Sequence, residues 1–223
     1  MAISSTITSI VTARRKPSHA TIHIDGKAVA TLPLSLIERL ALKAGAPWND
    51  ATATQVSAAS RYADAWQAAM KHLNRRAASR QELGHKLEAA GRDPQAVHEV
   101  LDRLEQLGAL DDEALGRALI DEARSKSAAG PALLRQKLQR RGLDDQMVDR
   151  MLEQATERED PVESALALAR QRAKSMSRLD PLTRARRLWG ALQRRGFDED
   201  TIEQVMQRME QEGTEAGETE VGA

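Results

Sequence analysis

One pattern of leucine and glycine residues occurs three times along this chain of 223 residues. Each copy centres on a glycine, and the three glycines are 51 and 54 residues apart. Leucines stand eight and four residues before each glycine, and aliphatic residues or methionine stand six and ten residues after it. Such a long and regular period is typical of a repeated structural unit. The central glycines are Gly91, Gly142 and Gly196.

The spacing within each copy predicts two helices joined by a tight turn. Leucines that are four residues apart lie on one face of a helix. The glycine ends the first helix, because the turn needs a left-handed backbone that glycine adopts without strain. An aspartate two residues later can cap the next helix by accepting from its free N–H groups. These aspartates are Asp93, Asp144 and Asp198.

A further helix precedes each copy, so that each repeated unit contains three helices. The predicted leading helices cover approximately residues 51–76, 111–127 and 160–176. Three short helices enclose only a small core, so we expect the units to pack in tandem. The fold class that follows is mainly α, with three tandem three-helix repeats in an elongated monomer.

The beginning of the chain has a different character. Residues 3–34 are rich in Thr, Ile and Val with alternating polarity, which is typical of short strands. Asp25-Gly26 favours a two-residue hairpin turn, and residues 14–17 provide a second turn, so the pattern predicts a three-stranded module. A short helix is expected at about residues 36–43, with Ser35 as its cap.

The predicted division of the chain therefore has five parts. The end of the chain is rich in Gly and Glu without an apolar period, which predicts a disordered acidic tail. The parts are a β-rich module with a short helix (1–50), three-helix units at 51–108, 109–157 and 158–210, and the tail (211–223).

Several classes of protein and site are disfavoured by what the sequence lacks. The chain contains no cysteine, which excludes disulfides, thiolate catalysis and cysteine-based zinc sites. His19 and His23 are four apart on a predicted strand, about 13 Å apart, which is too far for one metal ion. Nucleotide-binding and hydrolase motifs are absent as well. We therefore predict a protein without catalytic residues, metal or cofactor.

The location of the protein is predicted from two further absences. No run approaches the ~18 apolar residues of a transmembrane helix. The first 16 residues lack the charged-then-apolar order of a signal peptide. Both point to a cytoplasmic protein with no membrane partner.

Motifs around the repeated pattern resemble the RecX family of regulators of the RecA recombinase. Residues 77–83 (AASRQEL), followed by Lys86, Leu87 and Gly91, are similar to the family pattern S-x-x-E-L-x-x-K-L-x-x-x-G. Residues 107–112 (LGALDD) are similar to its G-x-L-D-D, and residues 192–197 (LQRRGF) to its L-x-R-R-G-F. The resemblance extends, in order and spacing, over residues 58–209.

The resemblance implies both an architecture and a partner. RecX proteins are curved three-helix repeat proteins that lie in the groove of the RecA–single-stranded-DNA filament. They modulate, and in most cases inhibit, recombinase, ATPase and coprotease activity in DNA repair and the SOS response. The implied partner is the RecA filament, and direct contact with single- or double-stranded DNA is left open.

The distribution of charge is compatible with such a partner. The formal net charge is zero, but residues 199–223 carry eight acids and one arginine, so residues 1–198 carry +7. Lys137 and Arg141 flank the leucines of the second unit, and Arg187 and Arg195 flank those of the third. The candidate binding residues are Arg75, Arg76, Arg80, Lys86, Arg135, Lys137, Arg140, Arg141, Arg184, Arg186, Arg187, Arg194 and Arg195.

Other interpretations of these residues remain open at the level of sequence. Cations near the end of a helix also stabilise the helix dipole and cover apolar surface with their stems. Three-helix units resemble helix-turn-helix domains, so the alternative function is DNA binding without a RecA partner. Trp66, Ala69 and Leu73 share a face of the first leading helix, and we interpret them as core residues rather than as a ligand platform.

Overall fold

The computed structural model describes residues 5–14 and 16–221, with side chains as far as Glu212. Within those residues it contains four strands and ten helices. The strands are β1 (Ser5–Ala13), β2 (Lys16–Ile24), β3 (Lys27–Pro33) and β4 (Pro47–Trp48). The helices are α1 (Leu34–Arg39), α2 (Asp50–Leu73), α3 (Arg80–Ala89), α4 (Pro94–Gln106), α5 (Asp112–Lys126), α6 (Pro131–Arg140), α7 (Asp145–Arg158), α8 (Pro161–Lys174), α9 (Pro181–Arg194) and α10 (Glu199–Val221).

The N-terminal strands form one antiparallel sheet in the order β3-β2-β1-β4. Asp25 and Gly26 have φ angles of 49° and 76°, which confirms the predicted hairpin turn. A fourth strand joins the three predicted ones, because Trp48 pairs with Ser5. Sequence reasoning missed β4, since two residues are too short to show an alternating pattern.

The first helix differs from its prediction. Helix α1 begins directly after β3, with Pro33 at the N-cap position and without a capping side chain. The predicted cap at Ser35 is therefore wrong, because this residue already lies within the first helical turn. The helix also ends earlier than residue 43, and Ala41 adopts a positive φ of 51° just beyond it.

The three-helix repeats are confirmed, as α2–α4, α5–α7 and α8–α10. Gly91, Gly142 and Gly196 have φ angles of 75°, 72° and 81° in the turns between the second and third helices. The aspartates that follow them cap α4, α7 and α10 by accepting from Ala96 N–H, Met147 N–H and Thr201 N–H. The leading helices end within a few residues of the predicted bounds.

By packing, the chain divides into two compact units, residues 1–110 and 111–223. The first joins the sheet to repeat 1, because Val56 and Ala59 of α2 pack with the buried residues of the strands. The second contains repeats 2 and 3, whose cores centre on residues such as Leu138 and Ile202. The finer division of the chain into five parts, and its elongated and curved shape, remain predictions.

The end of the chain differs from the predicted disordered tail. The backbone of α10 is helical as far as Val221. Ile202 and Val205 on its first turns are fully buried, and Arg170 of α8 binds Glu212 near the end of the described side chains. The first turns of α10 are thus stabilised by packing against α8. The helix continues from them into residues that lack an apolar period. Residues 222–223 of the predicted tail lie outside the described residues.

Candidate basic interaction surface

The predicted binding residues all lie on or beside the middle helices of the repeats. Arg75 and Arg76 follow α2, and Arg80 and Lys86 lie on α3. On α6 or at its C-cap lie Arg135, Lys137, Arg140 and Arg141. On α9 or at its C-cap lie Arg184, Arg186, Arg187, Arg194 and Arg195. The structure separates these residues into a paired group and an exposed group.

Three of the paired residues form salt bridges within their own repeat. Arg80 bridges α3 to α4 through Asp102 and Glu105, with both N–O distances at 2.6 Å. Arg76 binds Glu82 at the start of α3, and Arg135 lies 2.6 Å from Asp149 of α7. Their charges are neutralised in place, and their side chains connect helices of one repeat.

Arg195 has a structural role that the sequence did not reveal. Its Nε donates to Ala128 O at 2.6 Å, and its Nη2 donates to Ser127 O at 2.7 Å. The backbone bonds in the other direction, since Gly130 N–H donates to Arg195 O at 2.8 Å. Arg195, a predicted binding residue beside the leucines of the third unit, thus connects repeat 3 to the loop before α6.

The exposed group consists of cations whose side chains form no ion pair or hydrogen bond with any residue that the structure describes. On α6, Lys137 and Arg140 are three residues apart and share a face. On α9, Arg187 and Arg194 are seven residues apart and share another. The members of the group are Arg75, Lys86, Lys137, Arg140, Arg184, Arg186, Arg187 and Arg194. Arg141 is half-buried and interacts with another residue of the fold, so it is not a member of the exposed group.

The exposed cations of α6 and α9 belong to the same compact unit. The helices meet where Ala132 N–H at the start of α6 donates to Gly196 O, just after α9, at 3.1 Å. This contact brings Arg194 near the beginning of α6. Lys137 interacts electrostatically with Glu122. The pKa of the Glu122 carboxyl is lowered mainly by its hydrogen bond with Lys126, and the charge of Lys137 lowers it by a smaller amount. The least compensated cations are thus Arg140 and the arginines of α9.

The first compact unit contains a second feature that the sequence did not indicate. An open cleft of about 1110 Å³ runs between the sheet, α2 and the end of α4. Tyr62 and Trp66 of α2 lie on its wall with nearly parallel rings, at a centroid distance of 6.1 Å and an interplanar angle of 19°. Of the three residues predicted as core, Ala69 is fully buried, whereas Trp66 and Leu73 are only half-buried.

Some kinds of site do not occur in the described part of the chain. Its histidines and acids form no cluster of three or more that could bind a metal ion. None of its helices combines the length and the apolar character needed to cross a bilayer.

Comparisons with known proteins identify the family. A model described as the first three-helix domain of RecX matches residues 65–104, and one for the third matches residues 158–206. The regulatory protein RecX of Halorhodospira halophila is 34% identical over 138 residues, which cover 60% of this chain and 81% of the relative. This chain belongs to the RecX family. The regulatory protein RecX of Bacillus subtilis is 24% identical over 96% of this chain and 81% of its own length.

A solved RecX structure shares the fold. A crystal structure of regulatory protein RecX superposes with a TM-score of 0.73 at 21% identity, covering 91% of this chain and 99% of the other. At that identity the likeness concerns the fold alone. The two matched RecX domains contain α3 and α9, the middle helices of repeats 1 and 3.

Proposed function

We propose that this protein regulates a RecA recombinase by binding the RecA–single-stranded-DNA filament. The observation that carries the proposal is membership of the RecX family, whose relatives named above are regulatory proteins. The motifs that resemble the family lie on α3 and the turn after it, at the junction of α4 and α5, and at the end of α9. In this proposal the protein is a cytoplasmic monomer that acts without catalysis.

The filament contact is proposed on the exposed cations of α6 and α9. A RecA–DNA filament presents phosphates and acidic side chains, and both attract guanidinium groups. Arg140, Arg187 and Arg194 are exposed and form no ion pair within the described residues, so binding breaks no internal salt bridge. The excess charge of +7 on residues 1–198 assists the approach to an anionic partner.

The proposed outcome of binding is inhibition. A protein that occupies the groove between recombinase subunits opposes the changes in the filament that accompany ATP hydrolysis and strand exchange. It therefore lowers the ATPase, recombinase and coprotease activities together. Stronger binding to the RecA–DNA filament than to bare DNA separates the proposal from DNA binding without a RecA partner.

The test is RecA-catalysed ATP hydrolysis on single-stranded DNA, titrated with wild type and with Arg140→Glu/Arg187→Glu/Arg194→Glu. The variant reverses three exposed charges. It avoids half-buried Arg141 and also Arg195, which is hydrogen-bonded to the loop before α6. The matched control is Arg172→Glu/Lys174→Glu/Arg178→Glu, which makes the same charge change at exposed positions of the same compact unit.

We expect wild type and the control to inhibit hydrolysis and the α6–α9 variant to inhibit weakly, with circular dichroism unchanged. Equal inhibition by both variants would place the contact elsewhere. If wild type changes neither hydrolysis nor filament length, the proposed function fails. A truncation that tests the acidic end should stop after Glu212, because this residue binds Arg170.

A further inference from the structure

We propose that the cleft of the first compact unit binds single-stranded nucleic acid by stacking a base against Trp66 and Tyr62. The inference concerns a site separate from the exposed cations of α6 and α9. It goes beyond the proposed function, and its test contains no recombinase, so either proposal can fail while the other stands.

The aromatic wall of the cleft is the first observation. The chain has one Tyr, one Phe and three Trp, and two of these five rings stand together on α2 at positions four residues apart. Tyr62 and Trp66 are packed against the core of repeat 1 on one side and remain half-exposed on the other. A rigid, nearly parallel pair of rings that is open to solvent offers the flat face on which a base stacks.

Cations around the same cleft are the second observation. Lys71, Arg92 and Arg103 line it, against the single acid Asp64. The Nε atom of Arg92 is buried and has no hydrogen-bond partner among the described residues. Together these three cations give the cleft a positive charge, which attracts the phosphates of a nucleic-acid strand.

The combination favours nucleic acid over the other occupants of such a cleft. An acidic peptide would satisfy the cations but would leave the stacked rings unused. An apolar peptide would cover the rings but would bury the cations without partners. A single strand brings an unpaired flat base and a phosphate together, and this matches both parts of the cleft. The volume of about 1110 Å³ exceeds the usual range for small-molecule pockets, which suits a segment of chain.

The test measures the affinity of the full chain for a short labelled thymidine oligonucleotide by fluorescence anisotropy. Trp66→Leu keeps an apolar side chain against the core but removes the aromatic face, and Trp66→Phe restores an aromatic face. We expect Trp66→Leu to weaken binding by about 5- to 100-fold and Trp66→Phe to retain most of it. Melting curves establish that both variants are folded.

The phosphate contacts are tested separately, so that the result does not depend on a core position. Lys71→Gln/Arg103→Gln removes two cations from the cleft and should reduce the logarithmic salt dependence of binding by about 1.4, at ~0.7 per phosphate. Lys43→Gln, at an exposed position of the same compact unit outside the cleft, is the control and should change nothing.

A direct readout of stacking comes from tryptophan fluorescence. In Trp48→Phe/Trp189→Phe the only tryptophan is Trp66, so quenching by the oligonucleotide reports a base at this ring. The proposal would be overturned by a folded Trp66→Leu variant with wild-type affinity, by the absence of Trp66 quenching at saturation, or by duplex DNA bound with equal affinity and equal dependence on Trp66. Absence of binding to the oligonucleotide would also overturn it and would leave the cleft to a protein partner.

Discussion

Arg195 binds Ala128 across 67 positions of sequence, with its Nε 2.6 Å from the carbonyl oxygen. The same guanidinium donates to Ser127 O, and Gly130 N–H donates to the carbonyl of Arg195. Three hydrogen bonds thus connect the turn of repeat 3 to the loop that precedes α6. The second compact unit therefore depends on a residue that the sequence alone placed among the partner contacts.

The first prediction is that Arg195→Ala destabilises the protein, whereas Arg194→Ala does not. Removing Arg195 leaves two backbone carbonyls without a charged donor, which should cost on the order of 2–4 kcal/mol. Arg194 is exposed, and its removal should change stability by less than about 0.5 kcal/mol. Urea denaturation of both variants measures the difference, and equal midpoints would refute the structural role.

The second prediction concerns the close approach of two turns at Gly196. A Cβ there would lie 2.2 Å from the backbone nitrogen of Leu133, whereas a Cβ on Gly91 would meet nothing within 4 Å. Both glycines have a positive φ, 81° and 75°, so Gly91→Ala controls for backbone strain. We expect Gly196→Ala to cost about 1–3 kcal/mol more than Gly91→Ala. Thermal melting would contradict this if the two variants behaved alike.

The third prediction is that Leu138 is a core residue of repeat 2. It is 0% exposed, whereas Leu182 on α9 is 84% exposed. Leu138→Ala should therefore lower the free energy of unfolding by about 2–5 kcal/mol. Leu182→Ala should change it by less than about 0.5 kcal/mol. An unchanged melting temperature for Leu138→Ala would show that the core of repeat 2 lies elsewhere.

The fourth prediction is a pH dependence that originates at His72. Burial lowers the pKa of this imidazole, and the charges of Lys86 and Arg76 lower it further. The unfolded chain takes up the proton near pH 6.5, whereas the folded chain does so only at lower pH. Protonation thus favours the unfolded chain, and stability should fall as the pH decreases below about 6.5.

The measurement compares wild type with His72→Gln by urea denaturation at about pH 7.5 and 5.5. The glutamine cannot titrate, so the variant should lose less stability than wild type over this interval. Parallel losses in the two proteins would assign the pH dependence to other groups.

Local patterns in the sequence determined the repeat and its boundaries. A glycine with positive φ and an aspartate that caps a helix act within a few residues, so Gly142 and Asp144 reveal their roles through spacing alone. Leu138 and its equivalents indicate a buried face because helical periodicity is itself a local property. The β4 strand and the start of α1 were missed, since pairing with β1 and the end of β3 decide them.

Only the tertiary structure decided what the arginines do. Arg194 and Arg195 are neighbours with the same side chain, yet one is exposed and the other binds a carbonyl 67 residues away. The cleft beside Trp66 likewise arises where the sheet, α2 and α4 meet, and no sequence window contains all three. Sequence spacing specifies which residues share a helical face. Which of those faces meets another part of the chain depends on contacts between residues that are far apart in sequence, and these form only when the whole unit packs.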